Sequence, residues 1–287
     1  MPNPVREQDA HYAGIRTREL TIAGSGTPVV FLHGFADCAE TWRGVLEYLA
    51  GQGRPARAVD VVGFGAADPF GPGPLLPQLD AFVDGLLATT GPAVLVGNSL
   101  GVTMSIRAAQ RNPARVAGIV ALDEPILSRH WLARRARGRV GPPTVASLVR
   151  LAPEPLIRWI SGPAWAVLLY GNPRAADPAT VLRWRTRYAT RSGLSWLLTN
   201  AVRFARESVD GYPQVPVRCP VLILHGRRDR IVPVQAGADL HRLIPGSEFR
   251  VLPAAGHCPQ LDDPAATAHT ISTFIDTRIT PRRDAAG

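Results

Sequence analysis

A chain of 287 residues, 46% of them hydrophobic, can bury a full core as one large domain with an insertion or as two domains. The first residues lack a basic segment followed by an apolar run, and no apolar stretch reaches membrane-spanning length, so neither a secretory signal nor a spanning helix is visible. The formal charge of +9 rests on 32 basic residues, all arginine, and its excess is confined to residues 124–211, which hold 14 arginines against 5 acids. Three widely spaced cysteines, Cys38, Cys219 and Cys258, suit reduced thiols in a cytoplasmic protein better than a disulfide framework.

In chain order, residues 16–22 read as a strand, and the turn Gly24-Ser25-Gly26 leads to a second at 29–33, together a hairpin. Asp37 with Glu40 three residues on predicts a helix start, and Trp42, Val45, Leu46 and Leu49 repeat on one face. A strand follows near 57–61. After glycine- and proline-rich loops comes an amphipathic helix with Leu79, Phe82, Val83 and Leu86 on one side. An apolar strand at 94–96 then runs straight into Gly97-Asn98-Ser99-Leu100-Gly101 and a helix over 100–110 that is stopped at Asn112-Pro113.

That strand, GxSxG and helix have the layout of a nucleophile elbow. The serine sits on a sharp turn whose flanking positions must be small, and the helix points its positive end at the serine. Another strand spans 116–122 and ends at Asp123-Glu124-Pro125. Strand signals then stop for almost ninety residues, which carry repeated prolines, the arginine excess and five of the six tryptophans (Trp131, Trp159, Trp165, Trp184, Trp196). This stretch is expected to be an inserted helical lid over 124–211, between core segments 1–123 and 212–287. Strand and helix resume at 221–225, 234–244 and 248–252, and Asp263-Pro264 caps a terminal helix with Ile271, Phe274 and Ile275 inward. No internal repeat or low-complexity segment is present.

Strands alternating with helices argue for an α/β fold, a mostly parallel sheet with helices on both faces. Ligands in such sheets bind at the carboxyl ends of the strands. His33-Gly34, Ser99, Asp123, Asp229 and His257 each follow a predicted strand. A serine hydroxyl needs a base, and the base needs a carboxylate to fix its tautomer. His257, in the loop after the last strand, is the candidate base and Asp229 the candidate acid, with Asp123 as its rival. The N–H groups of Leu100 and Phe35 are the candidate oxyanion donors. His33 and His225 read as structural. His130 and the other histidines show no ligand spacing, so no metal or other cofactor is expected.

Taken together, HGF at 33–35, DxxGxGxxD at 60–68, GNSLG at 97–101, GRRDRIVP at 226–233 and GHCPQLDDP at 256–264 resemble the α/β-hydrolase fold enzymes over essentially the whole chain. The resemblance implies Ser99 as nucleophile, Asp229 as acid, His257 as base and the Phe35 and Leu100 amides as oxyanion hole. It also implies a helical cap after Asp123. Haloalkane dehalogenases and epoxide hydrolases of this fold carry aspartate at the elbow, so Ser99 argues against both chemistries.

The leading expectation is a serine carboxylic-ester hydrolase acting on a small or lipophilic substrate. Gly-Asn-Ser is also similar to hydrolases that cleave carbon–carbon bonds in ring-fission products, although Phe35-Ala36-Asp37 replaces their glycine-rich loop. A ligand receptor retaining the triad is the alternative of another class. No nucleic-acid partner is expected. Arg183, Arg187 and Arg191, at i, i+4 and i+8, are expected to form one basic stripe, either ordinary solvated surface or a transient contact with an acidic membrane.

Overall fold

The computed structural model describes residues 4–127 and 152–279. Its centre is an eight-stranded sheet in the order β1-β2-β4-β3-β5-β6-β7-β8. The strands are β1 (Arg6–Tyr12), β2 (Ile15–Ile22), β3 (Val29–Leu32), β4 (Ala56–Val59), β5 (Ala93–Asn98), β6 (Val116–Leu122), β7 (Val221–Gly226) and β8 (Glu248–Leu252). From β4 to β8 every neighbouring pair is parallel, whereas β1 and β2 are antiparallel and β2 joins the edge of β4 antiparallel.

The expected hairpin is corrected by this order. β4 lies between β2 and β3, so the strand at 16–22 and the strand at 29–33 do not pair. β3 has both edges taken by its parallel neighbours β4 and β5, and β2 pairs instead with the outer edge of β4. The real hairpin is β1–β2, closed by Ala13 (φ 50°) and Gly14 (φ 79°), the left-handed pair that a two-residue hairpin turn requires. β1 carries no apolar alternation because it is an edge strand facing solvent.

Helices cover both faces: α1 (Arg43–Ala50), α2 (Leu75–Thr90), α3 (Leu100–Arg111), α4 (Glu154–Leu169), α5 (Pro178–Tyr188), α6 (Arg191–Glu207), α7 (Gln235–Leu243), α8 (Pro259–Asp262) and α9 (Pro264–Phe274). The two-residue period of the central strands divides the core. Leu95, Ile119, Ala121 and Ile223 pack with α2, α3 and α7, while Val94, Val96, Val120, Leu222 and Leu224 pack with α1 and α9. Trp42, Val45, Leu46 and Leu49 are all fully buried, as are Leu79, Phe82, Val83 and Leu86 to within 1% exposure. Asp263 caps α9 by accepting from Ala266 N–H at 2.9 Å.

The start of α1 departs from its expected form. A short 3₁₀ turn over Ala39–Trp42 precedes the helix with Cys38 at its cap, and the Asp37 carboxylate accepts from Cys38 N–H instead of closing a capping box.

Helices α4 to α6 stand between β6 and β7, where strand signals fail in the sequence. Glu124 and Tyr212, both buried, bond at 2.8 Å and tie the entry of this segment to its exit. Glu207 accepts from Leu75 and Leu76 N–H at the start of α2, and Trp184 Nε1 donates to Ala36 O at 3.1 Å. Trp165, Trp184, Tyr188 and Trp196 pack ring against ring, and Trp196 meets Phe64 edge-on at 5.6 Å. His130 and Trp131 lie outside the described residues.

The expected basic stripe is broken. α5 ends at Tyr188, and Thr190 caps a new helix by accepting from Gly193 N–H, so Arg191 does not continue the face of Arg183 and Arg187.

Candidate active site

Parallel strands place their carboxyl ends on one edge of the sheet, and the loops after β3, β5, β6, β7 and β8 meet there. Ser99 has φ 52° and ψ −111°, a backbone region that costs a non-glycine residue free energy and persists only where the surroundings impose it. A Cβ at Gly97 would stand 2.3 Å from the Gly101 carbonyl carbon, and one at Gly101 would stand 2.1 Å from Leu32 O. Strand, helix and neighbouring strand therefore close around the serine only with glycine at both positions. Gly34 packs against the same turn, where a Cβ would lie 3.1 Å from Asn98 Oδ1 and 3.4 Å, an ordinary contact, from Ser99 Cβ.

His257 Nδ1 bonds Asp229 Oδ2 at 2.7 Å, and the other oxygen of Asp229 accepts from Ile231 and Val232 N–H at 2.7 and 2.9 Å. Burial opposes ionisation of Asp229, but His257 and these amides outweigh it and hold its carboxyl below the usual range. A carboxylate on Nδ1 fixes the tautomer that leaves Nε2 without a proton. Among the described residues Ser99 Oγ donates no hydrogen bond, and the His257 ring bonds through Nδ1 alone. The N–H groups of Phe35 and Leu100 also have no acceptor among the described residues, and Leu100 is the first residue of α3.

Asp123 lies one strand away, fully buried at φ 57°. Its Oδ1 accepts from Gly226 N–H at 2.8 Å, and its Oδ2 has no partner among the described residues. Burial and the nearby charge of Asp229 push its carboxyl well above the ordinary range, the opposite direction to Asp229. Asp123, His225 and Asp229 each offer an atom within 4.8 Å of the others, the spacing of a cation site. Asp229, however, already meets N–H donors from Ile231, Val232 and His257, Asp123 Oδ1 meets Gly226 N–H and His225 Nε2 bonds Val232 O, which leaves Asp123 Oδ2 and His225 Nδ1 as the buried atoms of the group without a partner among the described residues. That donor set reads as a hydrogen-bond network. Burial lowers the pKa of His225, keeping it neutral.

His33 staples its loop, accepting from Val61 N–H at Nε2 (2.9 Å) and bonding Gly34 O through Nδ1. No cysteine rivals the serine. Burial pushes the thiol of Cys38 up to about 12, that of Cys219 up to about 11 and that of Cys258 well above its usual value.

Two residues in this region take structural roles that their local sequence does not reveal. Asn98 donates to His257 O (2.9 Å) and Leu122 O (3.3 Å), while its Oδ1 receives Cys258 Sγ and Gln260 Nε2. It thus ties the histidine loop to the elbow. Asp37 lines the small pocket formed with Gly34, Phe35, Asn98, Trp165, Trp184 and His257. Its local signal is that of a helix start, and only the folding of α5 over it reveals a buried acid.

Burial raises the Asp37 carboxyl from 3.8 to about 7, against the opposing pull of Cys38 N–H, the Thr41 hydroxyl and Arg183. Between those values the folded chain keeps a proton that the unfolded chain has lost, so this group costs stability progressively as pH rises from about 4 to about 7. Asp37→Asn is accordingly expected to gain stability relative to the parent as pH rises, by at most roughly 4 kcal/mol. Urea unfolding of both proteins at pH 4 and pH 8 checks this; an offset that is the same at both values would refute it.

A family model described as the alpha/beta hydrolase family matches residues 29–270. The chain is 29% identical over 255 residues to a pimeloyl-[acyl-carrier protein] methyl ester esterase of Nitrosomonas europaea, covering 85% of this chain and 94% of that one. It is 26% identical over 276 residues to a 2-hydroxy-6-oxo-2,4-heptadienoate hydrolase of Pseudomonas putida, covering 91% and 93%. In fold it is similar to a thermophilic esterase from Thermogutta terrifontis, with a TM-score of 0.72 at 24% identity over 96% of this chain and 100% of that one. The chain belongs to the alpha/beta hydrolase family and is an enzyme of the hydrolase class.

Proposed function

We propose that this member of the alpha/beta hydrolase family is a serine carboxylic-ester hydrolase working through Ser99, His257 and Asp229. The observation that carries the reading is a serine held at a strained elbow on the same sheet edge as a histidine bonded to a buried carboxylate. Ser99 Oγ attacks the ester carbonyl and gives its proton to His257 Nε2, while Asp229 stabilises the resulting imidazolium. The N–H groups of Phe35 and Leu100 receive the tetrahedral oxyanion. His257 then protonates the departing alcohol, and on the second pass it activates the water that frees the acid from the acyl-enzyme.

In this reading residues 124–211 form a helical cap between core segments 1–123 and 212–287. Support comes from Trp165, Leu169 and Trp184, which stand in the pocket wall with His257. The substrate is a small or lipophilic ester, and the free cysteines accord with a reducing, cytoplasmic setting.

A second reading, hydrolysis of a carbon–carbon bond in a ring-fission diketone, is favoured by Asn98 beside the serine and by the similarity to the heptadienoate hydrolase. Against it stands the Phe35-Ala36-Asp37 loop. Turnover across esters graded by chain length and charge, with a ring-fission diketone in the panel, separates the two. Multiple turnovers of at least one ester, with slower consumption of the diketone, are expected. Faster diketone cleavage would replace the ester assignment, and stoichiometric binding without turnover would indicate a receptor.

A further inference from the structure

Helix α4 is apolar on two sides. Its inner side sends Trp165 and Leu169 into the pocket wall beside His257. Its outer side presents Leu156, Trp159, Ile160, Pro163 and Val167, spaced i, i+3, i+4, i+7 and i+11, which is one face of a helix. Trp159 is 77% exposed and Ile160 53%. Single surface hydrophobics need no explanation, but an uninterrupted apolar stripe with an indole at its centre does.

The segment that holds this stripe is rich in positive charge. Residues 152–211 contain eight arginines, and among the described residues Arg158 alone has a carboxylate partner, Glu154 at 3.8 Å, with both side chains exposed. Of the other acids in the segment, Asp177 caps α5 with the charge of Arg183 acting on it, and Glu207 holds the first amides of α2. The segment that carries the outward apolar ridge therefore has an excess of positive charge, eight arginines against Glu154, Asp177, Glu207 and Asp210.

We propose that the outer face of α4 docks on an anionic lipid surface, with Trp159 and Ile160 entering the headgroup boundary and the neighbouring arginines meeting lipid phosphates. Charge complementarity selects this occupant over a second copy of the chain, since pairing two such faces would bring two arginine-rich segments together. Docking lays the helix that walls the pocket against the bilayer. One consequence, an ester drawn from the lipid phase, rests on the hydrolase reading; the docking itself does not.

Co-sedimentation of the full chain with phosphatidylcholine vesicles, with and without phosphatidylglycerol, tests it at low and high salt. Binding to the anionic vesicles is expected, falling steeply with salt. The double variant Trp159→Ser, Ile160→Ser should bind at least about tenfold more weakly, since both side chains lose their apolar transfer. Its thermal melt and its turnover of a water-soluble short-chain ester should match the parent. Absence of binding at low salt, or binding unchanged in the double variant, would overturn the proposal. So would a dimer on size exclusion that the double variant dissolves without any vesicle binding. A parent that turns over no ester would refute the hydrolase reading alone, because the vesicle measurement stands apart from it.

Discussion

Ser99→Ala is expected to lower turnover by on the order of 10⁵ to 10⁶ and to abolish labelling by a fluorophosphonate. The elbow leaves no substitute: Cys258, the nearest thiol in sequence to His257, is buried and points its Sγ at Asn98 Oδ1. The loss should come without unfolding, because alanine at φ 52° carries the same Cβ that serine already does and the glycines that let the chain close are untouched. His257→Ala should cost a comparable factor, since members of a triad act as a unit. Retained labelling in the serine variant would place the nucleophile elsewhere. Near-normal activity of the histidine variant at neutral pH would remove the base assignment.

The two aspartates are expected to respond very differently to the same substitution. Asp229→Asn should lower kcat by on the order of 10³ to 10⁴, because an amide on His257 Nδ1 favours the wrong tautomer and leaves the imidazolium uncompensated. Asp123→Asn should cost less than about tenfold. Burial beside Asp229 favours the neutral form of Asp123, which an amide of the same shape matches while still accepting from Gly226 N–H. The measurement is kcat for both variants on one ester at neutral pH. The reverse ranking would move the acid to the end of β6, and equal losses would mean that the pair shares the role.

Much of this arrangement is legible in the amino-acid sequence. The period of the apolar residues marks the central strands and the inward faces of α1, α2 and α9, and Asp263-Pro264 marks a cap, because these features depend on neighbours within a few residues. Gly97 and Gly101 identify the elbow for the same reason: the need for small residues is set by the turn itself. The order of strand ends then brings Ser99, Asp229 and His257 into view as candidates, since parallel strands share one carboxyl edge.

Where pairing partners are distant, local pattern is silent or misleading. β1 is polar because its side chains face water, and hydrogen bonding to β2, not hydrophobicity, makes it a strand. The false hairpin of β2 with β3 arises because sequence adjacency cannot reveal that α1 returns the chain as β4 into the gap between them. Asp37 has the pattern of a helix start, and its burial becomes visible only once distant residues, Trp165 and Leu169 of α4 and Trp184 of α5, line a pocket with it. Arg191 leaves the stripe because Thr190 starts a new helix there. Asp123 and Asp229 both follow strands, and in the sequence the GRRDRIVP resemblance is what ranks Asp229 first. Only the reach of the loop after β7, stapled by Ile231 and Val232 N–H, sets Asp229 at 2.7 Å from His257, and the neighbouring burial of Asp123 decides which of the two keeps its proton.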